Sequence, residues 1–416
     1  MKKTLQSLGL FLIGAAAFAQ ATDATVSLDP DYANTVYYNL DTQTETSFAA
    51  DSWDIGFLRT SAMSMGIRTN ALVEVYEASD DIENWSAIDV ANIDNWTQLY
   101  NDDTNWTSGA YDQGSATYGW GEYNIANHHV TGSIIFVLKL IDGTFVKFIN
   151  EDYYGGYTFK YATWDGSAWS EDKTEVILNS ENDTNRFNYF SFKTNSKVVA
   201  EPAMDAWHLV FGKYYTDVPV SATETMKYMV TGALVNAGIT VAVNDESGEN
   251  PDTSNLTYAE AINTIGYNWK SFSMETYTYD IDSDTAYYVK TEAGNIYRLV
   301  FTGFEGSSTG NLSFNFEDVT EKLSITDVNE GIAFGIYPNP TTDKKINLIY
   351  DVNALQATQS NISIYAVTGA KVFETTIKNQ NGFYNKELQL NNLQSGVYIL
   401  KFTSGNQSVT KKLVLR

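Results

Sequence analysis

Imidazole and thioether are the donor groups with which this chain could hold a transition metal. It has three histidines, His128, His129 and His208, and no cysteine. His128 and His129 precede the apolar run SIIFVLKL (133–140). A strand edge there would aim an imidazole into a cleft, and the alternative is a pair of turn residues. Met63 and Met65 lie in RTSAMSMGIRTN (59–70) at strand spacing, which projects both to one side. Core filling and iron ligation are the two readings of that pair, and of Met226 and Met229. His208 follows Trp207 on an alternating pattern and is expected on the opposite, solvated face.

Other chemistry is thinly supplied. Asp102-Asp103 and Asp282-Ser283-Asp284 offer the oxygen ligands calcium prefers, but lack the EF-hand spacing, so solvated acidic loops are expected. No Gly-x-Ser-x-Gly, His-Glu-x-x-His, phosphate-loop or Rossmann signature occurs. The 51 Asp and Glu offer many carboxylate pairs to a glycosidase mechanism, yet no pattern orders two of them into a site. Asn-Trp-Ser/Thr recurs at Asn84, Asn95 and Asn105. Tryptophans at such intervals could stack on a flat ligand, a porphyrin or a sugar ring; the alternative is that they pin a long insertion onto a sheet.

The elements that must position these groups are strands. Aromatic residues make up 14% of the 416 positions, and they favour half-buried pleated surfaces. DSWDIGF begins at Asp51 and DAWHLVF at Asp205, a shift of 154. In each, apolar positions alternate: Trp53, Ile55, Phe57, then Trp207, Leu209, Phe211. That period of two marks a strand with one face inward. At the same shift Val36-Tyr37-Tyr38 faces Phe190-Ser191-Phe192, an aromatic strand preceding each copy. The copies also share an ending. Residues 142–161 and 293–316 both read as hairpin, strand, turn, strand, with Asp142-Gly143 and Gly294-Asn295 as tight turns. The chain is expected to be all-β, with two β domains of one type.

The first copy combines SWDIGFLR, IRTN, HHVTGSIIFVLKLIDGTFVKF and YYGGYTFKY. In these signatures it resembles the HmuY family of Bacteroidetes surface proteins. DAWHLVFGKYYT and MKYMVTGALVNAGITVAV in the second copy resemble it more loosely, with His208 where the first copy has Asp54. The resemblance spans about 35–320 and implies an all-β fold and haem capture at the cell surface through two axial ligands. Met63, Met65, His128 and His129 are the candidate ligands on that reading.

Both ends speak of export. MKKTLQSLGLFLIGAAAFAQ places two lysines, an apolar run and Ala17-Phe18-Ala19 in the order of a secretory signal, expected over 1–19 and removed. Residues 332–416 hold nine Lys and Arg against four Asp and Glu, net +5, while the rest carries 17 against 47, net −30. That switch marks a separate module. YPNP at 337–340, IYAVTGAKV at 364–372, SGVYILKF at 395–402 and the closing KKLVLR resemble the type A sorting domain of type IX secretion. This implies an immunoglobulin-like β-sandwich read by the secretion machinery, and attachment to the outer face of the outer membrane. The expected order is a signal peptide (1–19), HmuY-like domains at 20–178 and 179–325, and a sorting domain at 326–416. A net charge of −25 excludes nucleic acid as a partner class. No transmembrane segment is expected, since no later stretch is apolar for long enough. The expected function is a secreted or surface binding protein, not an enzyme, with haem as candidate ligand. The alternative is an adhesive protein that binds glycans or proteins.

Overall fold

The computed structural model describes residues 21–61, 63–221, 223–248, 251–320, 323, 332–352, 360–377, 382–404 and 407–416. The expected signal peptide lies outside them, as does the start of the expected sorting domain at 326–331. The described chain forms two compact units that divide between Thr320 and Glu321. Both are built from antiparallel strands, so the all-β expectation holds. No helix among the described residues is long and apolar enough to cross a membrane.

The larger unit begins with β1 (Thr22–Ser27), β2 (Asn34–Asn39), β3 (Thr44–Ala49), β4 (Ile55–Leu58), β5 (Ile67–Thr69), β6 (Glu74–Ser79) and β7 (Thr97–Leu99). It continues through β8 (Gly121–Asn124), β9 (His129–Gly132), β10 (Ile135–Lys139), β11 (Phe145–Tyr153), β12 (Gly156–Thr163), β13 (Lys173–Leu178), β14 (Phe187–Ser191) and β15 (Ser196–Val198). The second repeat, which opens with β14 and β15, goes on to β16 (Leu209–Pro219), β17 (Thr225–Val235), β18 (Thr240–Asp245), β19 (Lys270–Ser273), β20 (Thr278–Ile281), β21 (Thr285–Lys290), β22 (Ile296–Phe304) and β23 (Asn311–Asp318).

Two cores result. In the first, sheet β15-β14-β4-β5 and the larger sheet through β13-β12-β11-β10-β6-β7 enclose Phe57, Phe136, Phe148, Phe159 and Tyr161. In the second, sheet β17-β16-β2-β3 and sheet β1-β23-β22-β21-β18 enclose Phe211, Trp269, Phe301 and Phe314. Trp269 stacks on Phe301 with ring centroids 3.9 Å apart. The repeat is visible in detail. Gly143 and Gly294 take φ of 84° and 90° in matching hairpin turns, a region open to glycine. Each following strand pair is bulged at one place, between Asn150 and Asp152 and between Phe301 and Gly303.

Strand pairing crosses position 178 in both directions. The aromatic strand of the first repeat, β2, pairs with β16 of the second: Tyr38 with Leu209, Tyr37 with Val210, Val36 with Phe211. The aromatic strand of the second, β14, pairs with β4 of the first: Phe190 with Ile55, Tyr189 with Gly56. The repeats thus exchange their opening hairpins, and β1 joins the exchange by pairing along β23. Each exchanged strand is pinned at its end. Phe192 N–H donates to Asp54 Oδ2 at 2.6 Å, and Leu40 N–H donates to His208 Nδ1 at 3.1 Å. Behind these acceptors, Asn70 donates to the carbonyls of Ala50 and Trp53, and Asn236 to those of Met204 and Trp207.

His208 is therefore a buried acceptor and not the solvated residue expected from alternation. Burial holds its pKa below 6.5, against the weaker pull of Asp41, whose Oδ2 lies 3.8 Å from Nε2. Arg186 and Glu292 line the same hollow. A proton on Nδ1 would face the Leu40 N–H. Because the folded pKa is depressed, the bond is fully present above pH 6.5 and is lost as pH falls through the folded value. The second core is expected to lose about 1 kcal/mol over that window. His208→Asn, which keeps an acceptor without a titrating group, flattens the pH profile of thermal unfolding.

The smaller unit contains β24 (Ile332–Tyr337), β25 (Lys345–Val352), β26 (Ser360–Ala366), β27 (Lys371–Ile377), β28 (Gly382–Gln389), β29 (Gly396–Ser404) and β30 (Gln407–Leu415). Sheets β24-β25-β28 and β27-β26-β29-β30 pack around Leu348, Ile362, Ile364, Leu400, Phe402 and Leu413. Asn339 of YPNP donates to the Lys412 carbonyl and accepts from Val414 N–H. Buried Thr341 exchanges backbone bonds with Val414 and Arg416. The first and last motifs of the tail are thus hydrogen-bonded to each other.

Candidate functional site

The candidate ligands of the first repeat lie on two segments, 63–65 and 128–129, and Tyr153 bonds to both of the stretches that carry them. His128 occupies a turn at φ 65°, and its Nδ1 meets the Tyr123 hydroxyl at 2.6 Å. His129 opens β9, which pairs with β11 through Val130 with Tyr153 and Thr131 with Asp152. That register sets His129 Nδ1 at 2.8 and 2.9 Å from the two Asp152 oxygens. The imidazole lies parallel to the exposed Tyr154 ring, centroids 4.6 Å apart and planes 4° apart. Among the described residues, Nε2 of His129 has no hydrogen-bond partner.

Residues 60–61 and 63–66 lie in a turn and not in the strand their spacing suggested. Hydroxyls of Thr60 and Ser61 bond that of Ser64 at 2.8 and 2.9 Å. In a turn, alternate residues need not share a face. Met63 is 81% exposed, whereas Met65 packs against the first core. Tyr153 ties this turn to the histidine strand: its backbone pairs with Val130, and its hydroxyl donates to the Ser64 carbonyl at 2.5 Å. In the second repeat, Met226 is exposed and Met229 half-buried, so neither fills the core.

The three Asn-Trp motifs do not form one stacking platform. Trp85 and Trp96 pack with Trp169 on Ile135 and Val137, pinning the insertion to the outer face of β10. Lys147 fixes it further, with its ammonium 2.9 Å from the Trp85 carbonyl and over the Trp85 and Trp169 rings. Trp106 instead reaches the second module, donating Nε1 to the Val235 carbonyl at 2.9 Å. Asp102 caps its own loop through Thr104 and Asn105. No cluster of three or more His, Asp or Glu suited to a metal occurs among the described residues.

A cleft that was not apparent from the sequence lies between the outer faces of the two exchanged sheets. Its free space, counting solvent at the open mouth, is about 1120 Å³. Tyr37 and Val210 line one wall, Trp53 and Tyr189 the other, and Tyr100 meets Tyr215 at one end with centroids 4.9 Å apart. Arg68 is buried in this wall. It donates to the carbonyls of Asn105, Ser108 and Asp102 at 2.9, 3.1 and 3.1 Å, and lies 5.3 Å from the Trp106 ring centre. Burial lowers its pKa to about 10, so it stays charged at neutral pH. Among the described residues, Asp103 is the one carboxylate lining the cleft, so no carboxylate pair is presented there. Short segments from both repeats build it, 68–73, 98–101 and 212–215 among them, and none carries a recognisable binding motif.

The tail carries the identifying signal. Residues 335–416 match the family described as the secretion system C-terminal sorting domain. An all-β chain ending in this domain is a secreted or cell-surface protein exported by type IX secretion. No curated protein sequence matches the chain.

Proposed function

We propose that the exported body is a binding protein, holding its ligand and not transforming it, and that its first module takes haem at the His129 rim. The observation that carries this reading is the state of His129. A metal-ligating histidine characteristically donates its second ring nitrogen to a carboxylate, which fixes the tautomer and raises the basicity of the free nitrogen. Asp152 does this to Nδ1 and leaves Nε2 for iron. Tyr154 supplies an exposed ring beside it, and the turn bearing the exposed Met63 thioether is anchored through Tyr153. The resemblance of the repeats to the HmuY family and the export signal support the same reading.

Hemin titration followed in the Soret band tests it. The full chain is expected to shift the band at about micromolar hemin. His129→Ala should weaken binding more than about tenfold, and Asp152→Asn, acting through the orientation of His129, about tenfold. Met63→Ala separates one-sided from two-sided ligation by its effect on the spin state. A Soret band unchanged by the protein contradicts the reading.

A further inference from the structure

We infer that the cleft between the two exchanged sheets is a second binding site, and that its ligand class is a neutral carbohydrate ring. The inference goes beyond haem capture and concerns a different surface. No histidine or methionine lines the cleft, so it offers iron no axial ligand.

The ligand class follows from which groups are already paired. Arg68 is held by three backbone carbonyls. Asp103 accepts from Thr216 and Asn263 at 2.6 and 2.7 Å. Lys213 turns its ammonium to the Asp31 carbonyl at 2.7 Å, and Glu74, near the Tyr100 end, is bonded to Lys139 and Tyr76. Every charge in and around the cleft thus has an internal partner. The lining groups without one, among the described residues, are the Gln98 amide, the Thr35, Tyr100, Tyr214 and Tyr215 hydroxyls and the Trp53 indole N–H. They are neutral donors and acceptors at the edge of aromatic walls. A charged ligand would meet no free countercharge there, and a purely apolar one would leave these groups unpaired. A sugar ring satisfies both, with carbon-bound hydrogens for the aromatic faces and hydroxyls for the rim. The surrounding net charge of −30 over residues 1–331 also disfavours an anionic ligand.

The test uses the full chain, with cellobiose, maltose, mannobiose and chitobiose as neutral probes and sialyllactose as the anionic one. Binding is read by calorimetry and tryptophan fluorescence. At least one neutral disaccharide is expected to saturate with a Kd of about 1 mM or tighter, and sialyllactose is not. Tyr215→Phe and Gln98→Leu, which keep ring and bulk, should each weaken binding about tenfold while leaving the hemin titration unchanged. His129→Ala should leave sugar binding intact, so the haem and sugar readings fail independently. The inference is overturned if no neutral disaccharide saturates, or if the paired Tyr215→Phe and Gln98→Leu variant binds as the wild type does.

Discussion

A chain from which residues 21–50 are removed is expected to lose the second core altogether while the first persists. That segment carries β1, β2 and β3, none of which lies in the first core. Val26, Leu28, Val36, Tyr38 and Leu40 are all buried among Phe211, Phe301 and Phe314. At about 1.5–3 kcal/mol for each buried side chain, their loss approaches 10 kcal/mol. That is comparable with the whole stability of a domain, about 5–15 kcal/mol. Deletion also opens the edges of β16 and β23, which invites association with other chains. Near-UV circular dichroism should lose the contribution of Trp269 and its aromatic neighbours, and limited proteolysis should cut within 201–320 and spare 51–200. A peptide of residues 21–50 added in trans should restore protection. An intact near-UV spectrum in the deletion would show that the second module closes without the first repeat's hairpin.

Arg68→Met is expected to be the most damaging single substitution near the cleft. Methionine is unbranched, shorter and without donors, so the carbonyls of Asp102, Asn105 and Ser108 lose their shared partner. Leaving a buried carbonyl without a donor costs about 1–3 kcal/mol. The loss also releases Trp106, whose indole bridges to Val235. The expected result is a fall of several degrees in Tm, with new protease cleavage between 101 and 110. Arg68→Lys keeps the charge but presents a point donor in place of a fork, and should recover part of the loss. Full stability of Arg68→Met would mean that the loop is held by Asn101 and its bonds to Thr69 and Ala110 alone.

Much of the framework is legible in the residues. Alternation at Trp207, Leu209 and Phe211 marks an inward face, and Asp142-Gly143 marks a turn, because both depend on local backbone geometry. Partner choice does not. A period of two says which face of β2 is buried but not which strand lies beside it, and Ile55 and Leu209 offer Tyr38 nearly the same apolar neighbour. The same degeneracy hides a slip. Sequence alignment sets Val36 opposite Phe190, whereas pairing with the equivalent residues Leu209 and Ile55 makes Tyr38 the counterpart of Phe190. A two-residue shift leaves every side chain on its face, so pattern alone cannot detect it. At the site, Met63 and Met65 read as strand because Ser61 and Ser64 close the turn through side-chain hydroxyls. His208 reads as solvated because its acceptor role depends on Leu40, a residue from the other repeat.

Exchange of the opening hairpins builds both cores and the cleft, and one crosslink tests it most directly. A Cβ placed on Gly212 lies 3.8 Å from the Thr35 Cβ, within the span of about 3.5–4.5 Å that a disulfide requires. The chain has no cysteine to interfere. Exchange predicts that Thr35→Cys with Gly212→Cys oxidises to an intramolecular disulfide in the monomer, identified by peptide mass spectrometry. It predicts no bridge for Thr35→Cys with Leu58→Cys, the position that Gly212 repeats within the first copy. A 35–58 bridge in place of a 35–212 bridge would contradict it.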